Sequence, residues 1–159
     1  MHAEIVASGT ELLMGETQDT NSSYLGGRLP ALGLDLQQVT LVGDDPARYG
    51  EVLERSFKRS PFTFTTGGLG PTQDDVTREC IASVFGEEVY VNEQQVQWLT
   101  NLFQGRDQQM PQRNIKQAWL IPSAVTIPNR MGTAPGWWAE KDGHVIVALP
   151  GPPRELYDM

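Results

Sequence analysis

The chain has 159 residues, with 12 Lys plus Arg against 20 Asp plus Glu, a formal charge of −8 and a single cysteine. That length predicts one domain; the acidic balance excludes general attraction to nucleic acid or anionic membrane, and one cysteine excludes an internal disulfide framework. An apolar share of 39%, no run near the ~18 apolar residues of a spanning helix and a polar start without signal-peptide order predict a folded, soluble, cytoplasmic protein.

Ala3 to Ala7 reads as a strand, Ser8-Gly9-Thr10-Glu11 as a turn, and Thr20 to Leu32 as a helix with Leu25, Leu29 and Leu32 at helical spacing, weakened by Gly26, Gly27 and Pro30. A second strand spans Leu36 to Val42. Asp45 before Pro46 is an N-cap with proline at the first helical position, and Tyr49, Val52, Leu53, Ser56 and Phe57 share one face of the helix that follows. The third strand, Phe62 to Thr66, leads through the segment TTGGLGPTQDD into a helix with Val76, Cys80, Ile81, Val84 and Phe85 on one side. Asn92 and Gln95 resemble a capping box, opening a helix through Val96, Leu99, Leu102 and Phe103. Gln104 to Gln117 is polar and reads as a surface loop. Strands follow at Trp119 to Ile121, Trp137 to Glu140 and His144 to Leu149, the last two joined by an Asp142-Gly143 hairpin turn, and the chain closes on a polar, helix-like PRELYDM.

Alternating strands and helices predict a three-layer αβα sandwich around a mostly parallel sheet, with a short antiparallel hairpin. Ligands of such sheets bind outside the carboxyl ends of the strands. SGTE, VGDD, TTGGLGPTQDD and LPGPP all lie at such ends, so independent loops converge on one rim. Gly67, Gly68 and Gly70 permit close approach of backbone amides to a phosphate, although three glycines also make an ordinary tight turn. Asp74 and Asp75 beside a phosphate would repel it unless they hold a divalent cation such as magnesium; helix capping explains one of the two. Asp44, unlike the capping residue Asp45, has no evident structural task and is a candidate to face the ligand or metal. Ser8, Gly9, Thr10 and Glu11 form a turn that either is solvated or contacts metal or ribose. Asn129 and the GTAPG turn, Gly132, Thr133, Ala134, Pro135 and Gly136, offer a hydroxyl and amides on a stiff turn. In LPGPP, Gly151 is the one amide not removed by proline. His2 and His144 have no metal-ligand spacing, no Gly-x-Ser-x-Gly elbow is present, and Cys80 sits on an apolar face as a core residue.

Taken together, SGTELLMGE with Asp19-Thr20-Asn21, VGDD, TTGGLGPTQDDVT, Asn114 to Ala118, NRMGTAPG and LPGPPRE resemble, in order and over essentially the whole chain, the N-terminal domain of the CinA (competence/damage-inducible protein) family within the MoaB/Mog superfamily. The resemblance implies a molybdopterin-binding-domain-like fold. It matches Asp75 and Asp44 to functional aspartates of molybdopterin adenylyltransferases, and LPGPP to a phosphate-binding turn in which Pro152 replaces a small apolar residue. It further implies metal-dependent hydrolysis of an ADP-ribose-like pyrophosphate, with molybdopterin binding, adenylyl transfer or a non-catalytic binding role as alternatives. In the hydrolytic reading Asp44 and Asp75 hold the ion, with Asp74 beside them; Pro71 is counted with the glycine loop among the phosphate-binding residues, and Thr72, Thr77 and Thr133 donate to phosphate oxygens. Homo-oligomerisation is expected from the relatives and from four tryptophans, Trp98, Trp119, Trp137 and Trp138, more than a core of this size needs. Further CinA domains are expected downstream in a longer protein, and nicotinamide-mononucleotide deamidation, which belongs to such a domain, is not expected of these residues.

Overall fold

The computed structural model describes residues 1–159. Strands β1 (His2–Ser8), β2 (Asp35–Val42), β3 (Phe62–Thr66), β6 (Ala124–Ile127), β7 (Gly136–Lys141) and β8 (His144–Leu149) form one sheet in the order β2-β1-β3-β8-β7-β6. β1 pairs in parallel with β2 and β3, and β3 with β8; β7 runs antiparallel to both β8 and β6. Each parallel pair is linked through helices, which cover both faces and bury the inner strands.

The two faces make two cores because side chains alternate along a strand. Val6, Ile146, Ala148, Trp137 and Ala139 meet Tyr49 and Leu53 of α3 (Pro46–Arg59) and Cys80, Ile81 and Phe85 of α4 (Thr77–Phe85). On the other face Ala3, Ile5, Val145, Val147 and Leu149 meet Leu25 of α2 (Thr20–Arg28), Leu29, Leu34 and Leu156 of α6 (Pro153–Asp158). Both faces of β8 are thereby buried, which explains its unbroken apolar run HVIVAL.

Several expectations shift at the ends. The helix predicted to Leu32 stops at Arg28 and continues as a 3-10 turn, Leu29–Leu32, with Pro30 near its start, so Leu32 is exposed. Gln112–Ala118, inside the predicted polar loop, winds into a 3-10 run that buries Asn114 and Gln117. The strand expected at Trp119 leaves the main sheet: β5 (Trp119–Leu120) pairs only with β4 (Tyr90–Val91). Helix α5 (Glu93–Gln104) is capped by Asn92, which accepts from Gln95 N, but the Gln95 side chain donates to Thr126 Oγ1 and leaves the capping box half made. The Asp142-Gly143 turn has φ of 52° and 78°, as a two-residue hairpin requires.

Candidate functional site

The carboxyl ends of β1, β2, β3 and β8 open onto a cavity of about 440 Å³. Ser8, Gly9 and Glu11 form one wall; Asp44 follows β2; Gly67 to Pro71 with Asp74 and Asp75 follow β3; Pro150, Gly151 and Pro152 follow β8. Thr133 and Ala134 of the GTAPG turn, Gln117 and Glu155 close the far side. The predicted convergence of loops is therefore present.

The glycine loop is anchored from below. Gly67 N donates to Leu149 O at 3.0 Å, and the Thr77 hydroxyl donates to Gly67 O at 2.8 Å while lying 3.2 Å from the Tyr49 hydroxyl. Gly67 and Gly68 have φ of 95° and 65°, and a Cβ on Gly67 would stand 2.6 Å from Ser8 O. These turns leave the amides of Gly68, Leu69, Gly70 and Gly151 without any acceptor in the chain, although all four residues line the cavity. Free amides on a turn at the carboxyl edge of a sheet form an anion-binding concavity.

Two aspartates flank it in matching fashion. Asp44 Oδ2 accepts from Thr10 N at 3.0 Å and Thr10 Oγ1 at 2.8 Å; Asp75 Oδ2 accepts from Thr72 N at 2.9 Å and Thr72 Oγ1 at 2.6 Å. Each Oδ1 has no partner within the chain. Asp44 thus has a structural task after all, serving the first turn of the short helix α1 (Thr10–Leu13), whose own Gly9 cannot cap it. Asp75 does not cap α4, whose N-cap is Val76. Gly70 is packed against the Asp75 carboxylate, where a Cβ would collide with it. Asp45 caps α3, accepting from Arg48 N at 2.8 Å, as its position predicts.

Other predicted residues support the cavity without lining it. Thr10 and Thr72 are occupied with the two aspartates, and Thr77, fully buried, holds the loop and does not face a ligand. Asn129 is 1% exposed and spends its amide within the NRMGTAPG turn and on α6: Nδ2 donates to Ala134 O and to Glu155 Oε2 of α6, and Oδ1 accepts from Met131 N and Gly132 N. Gly132 makes room for the Glu155 carboxylate, which a Cβ would strike, and Gly136 opens β7, where a Cβ would stand 2.5 Å from Ala148 O. Pro135 offers its carbonyl to Arg78.

Two residues of the cavity are not singled out by the sequence. Glu155 reaches it from α6 and Gln117 from the 3-10 run; they sit inside LPGPPRE and Asn114 to Ala118, segments that carry the resemblance without pointing to either side chain. A third, Arg78, lies wholly buried behind the rim. Its Nη1 donates to Leu69 O at 2.8 Å and its Nη2 to Pro135 O at 3.1 Å, joining the glycine loop to the GTAPG turn. Burial lowers the Arg78 pKa to about 10, against the favourable charges of Glu79 and Asp75, so it stays cationic at neutral pH. Lys116 braces the same loop by donating to Thr72 O at 3.0 Å while pairing with Glu79 at 2.6 Å.

The charge of the wall is lopsided. Glu11, Asp44, Asp74, Asp75 and Glu155 line the cavity and no Lys or Arg does. No three His, Cys, Asp or Glu side chains come together as a metal-binding group, so Asp44, Asp74 and Asp75 are not a preformed three-ligand cluster. What the chain presents instead is two separate carboxylates, each with one free oxygen, across a bed of free amides. No helix is long and apolar enough to cross a membrane.

Comparison with known proteins agrees with this arrangement. Residues 4–159 match the family model described as "Probable molybdopterin binding domain". A CinA-like protein of Deinococcus deserti is 48% identical over 99% of the chain, and one of Deinococcus radiodurans is 46% identical over 99%; the chain spans about two fifths of the length of these relatives, 39% and 40%. A solved CinA structure from Thermoplasma acidophilum, described as of unknown function, superposes with a TM-score of 0.91 at 30% identity, covering 99% of this chain and 93% of that one. The molybdopterin biosynthesis enzyme MoaB of Thermus thermophilus superposes with a TM-score of 0.64 at 21% identity, over 98% and 84% of the two chains, and shares the fold. With its doubly covered sheet, its glycine-loop rim and these relatives, the chain belongs to the molybdopterin-binding domain family and, within it, to the CinA-like proteins.

Proposed function

We propose that the rim cavity binds the phosphate end of a molybdopterin-class ligand. The observation that carries this reading is that Gly68, Leu69, Gly70 and Gly151, whose amides have no acceptor in the chain, all line one cavity, in a chain whose family model is described by molybdopterin binding. Arg78 supplies the cationic field from behind, held away from contact by its two carbonyl bonds. Five wall carboxylates oppose an anion, so the ligand enters with a cation; the free oxygens of Asp44 and Asp75 are hard donors suited to a divalent ion such as magnesium. Bound there, such an ion would neutralise phosphate charge.

A second reading, hydrolysis of an ADP-ribose-like pyrophosphate, is favoured by one specific feature, the two threonine-held aspartates that line the same cavity as the free amides. The threonines fix each carboxylate's orientation in advance, which is what transition-state stabilisation requires. Calorimetric titration with molybdopterin and with ADP-ribose, each with and without magnesium, tests both. Molybdopterin binding without turnover of ADP-ribose supports the first; release of AMP and ribose 5-phosphate supports the second. Silence from both ligands in every condition overturns the site as a phosphate site.

A further inference from the structure

Beside the phosphate cavity lies a second chamber of about 300 Å³, which shares Ser8, Glu11, Gly151 and Pro152 with it and is closed by Thr17, Thr20 and Asn21. Asn21 stands in the first turn of α2 and is 7% exposed. Its Nδ2 donates to Gly151 O at 2.8 Å, which fixes the orientation of the amide, and its Oδ1 is buried with no donor in reach. Ser22 Oγ, one residue on, is buried and unpaired as well. A buried acceptor without a partner is destabilising, and such a group in a native structure needs an explanation.

We infer that Asn21 is a ligand-binding residue, accepting a hydrogen bond from a hydroxyl or amino group on the uncharged arm of a ligand whose phosphate occupies the neighbouring cavity. This rests on the phosphate-site reading given above. The wall of the chamber narrows the chemistry: it lacks Gly68, Leu69 and Gly70, whose free amides make the neighbouring cavity a phosphate site without any Lys or Arg, so it does not take a second phosphate, and it has no aromatic ring, so a flat heterocycle gains no aromatic stacking there. Glu11 lines both cavities as a further acceptor, whereas Asp19 already spends one oxygen on Ser22 N. The bond from Nδ2 to Gly151 O ties the two cavities together, since Gly151 also presents a free amide to the phosphate.

The test compares inorganic pyrophosphate, which has no arm, with ADP-ribose, whose arm carries sugar hydroxyls, and molybdopterin, whose arm carries a ring amine, by titration calorimetry in magnesium. Two variants are used: Asn21→Ala, and Thr17→Trp, which fills the chamber from an exposed position outside the phosphate cavity. Loss of the Gly151 contact in Asn21→Ala weakens all ligands alike, so the readout is the ratio of affinities. At least one armed ligand is expected to bind wild type more tightly than pyrophosphate, with that advantage falling about tenfold in both variants, the loss expected for one buried hydrogen bond. Whichever armed ligand shows the effect identifies the sugar or the ring as the source. Pyrophosphate binding with no advantage from either arm, or an advantage that both variants retain, overturns the inference while leaving the phosphate site standing. Failure of all three ligands to bind wild type overturns the phosphate site and the inference with it.

Discussion

Asp44 and Asp45 are neighbours with opposite tasks. Asp45 accepts from Arg48 N inside its own helix, whereas Asp44 reaches back to Thr10 through one oxygen, keeps the other unpaired, and lines the cavity. Asp45→Ala is therefore expected to cost about 1 kcal/mol of stability, the usual price of an N-cap, with ligand affinity unchanged. Asp44→Asn and Asp75→Asn should each keep a cap-like oxygen for the threonine while removing the charge, so thermal stability changes little and magnesium-dependent binding of ligand falls about tenfold or more. Thermal melts and titrations on the three variants check this; an Asp45 variant that loses binding would reverse the assignment. Arg78 behaves differently again. Arg78→Gln leaves Leu69 O and Pro135 O short of donors in a fully buried place, and each lost bond to a charged donor is worth about 1.5–3 kcal/mol.

At the scale of elements, the strands and helices with strong periodicity were legible and the pieces defined by pairing were not. β8 and α3 follow from HVIVAL and from Asp45-Pro46, since a doubly buried strand and a capped amphipathic helix carry their signal locally. β6 is four residues between prolines, and only its antiparallel pairing with β7 makes it a strand. β5 looked like a member of the main sheet because Trp119 and Leu120 say nothing about which partner they take; that partner, Tyr90–Val91, is two residues long. The rim was legible because its loops are local motifs, but the direction of each side chain was not. Thr77 and Asn129 are polar residues in glycine-rich turns, a pattern shared by ligand contacts and by loop supports, and both turn inward. Gly68 shows the same limit. A Cβ there points at the Thr77 hydroxyl and not into the cavity, so Gly68→Val acts through the positive φ and the displaced Thr77, and is expected to lower the melting temperature together with ligand affinity.

The opposite end of the sheet is fastened by an element contact with its own pH signature. Glu4 of β1, buried, accepts from Arg59 Nε at 2.6 Å at the end of α3 and from Ser60 Oγ at 2.7 Å. Burial raises the Glu4 pKa, and the bonds from Arg59 and Ser60 outweigh it, so the folded-state value is lowered. A carboxylate lowered on folding stabilises the native state above its unfolded pKa, near 4.3, and loses that contribution as the pH falls through the folded value. Denaturant melts between about pH 6 and pH 3 should therefore show a smaller drop in stability for Glu4→Gln than for the native chain, since linkage acts below about the unfolded pKa. Equal slopes would remove Glu4 from the acid response.

Over the whole molecule, charge and exposed apolar surface act on different events. Val125 on the edge strand β6 stands opposite Trp138 of β7, and the two are 62% and 39% exposed, whereas Trp137 is wholly buried in the core. An open edge with an apolar pair beside it is a surface for strand or side-chain association, so light scattering is expected to show a dimer or larger species that Val125→Lys returns to monomer; a native chain that stays monomeric across concentration would contradict this.

The net charge of −8 governs ligand entry. An anionic ligand meets the general field of the chain and then five wall carboxylates, against which the free amides and buried Arg78 act at short range. Repulsion between the molecule and its ligand is screened over about 10 Å at 0.1 M salt, so metal-free affinity for pyrophosphate should be weak and should rise as monovalent salt is added. With magnesium present the ligand arrives neutralised in part, so the repulsion is smaller and the rise of affinity with salt should be shallower. Titrations of pyrophosphate at low and high potassium chloride, with and without magnesium, decide the matter by the sign and steepness of each slope. A metal-free affinity that falls with salt would mean that the amides and Arg78 dominate the wall carboxylates, and that the cavity accepts its anion without a cation.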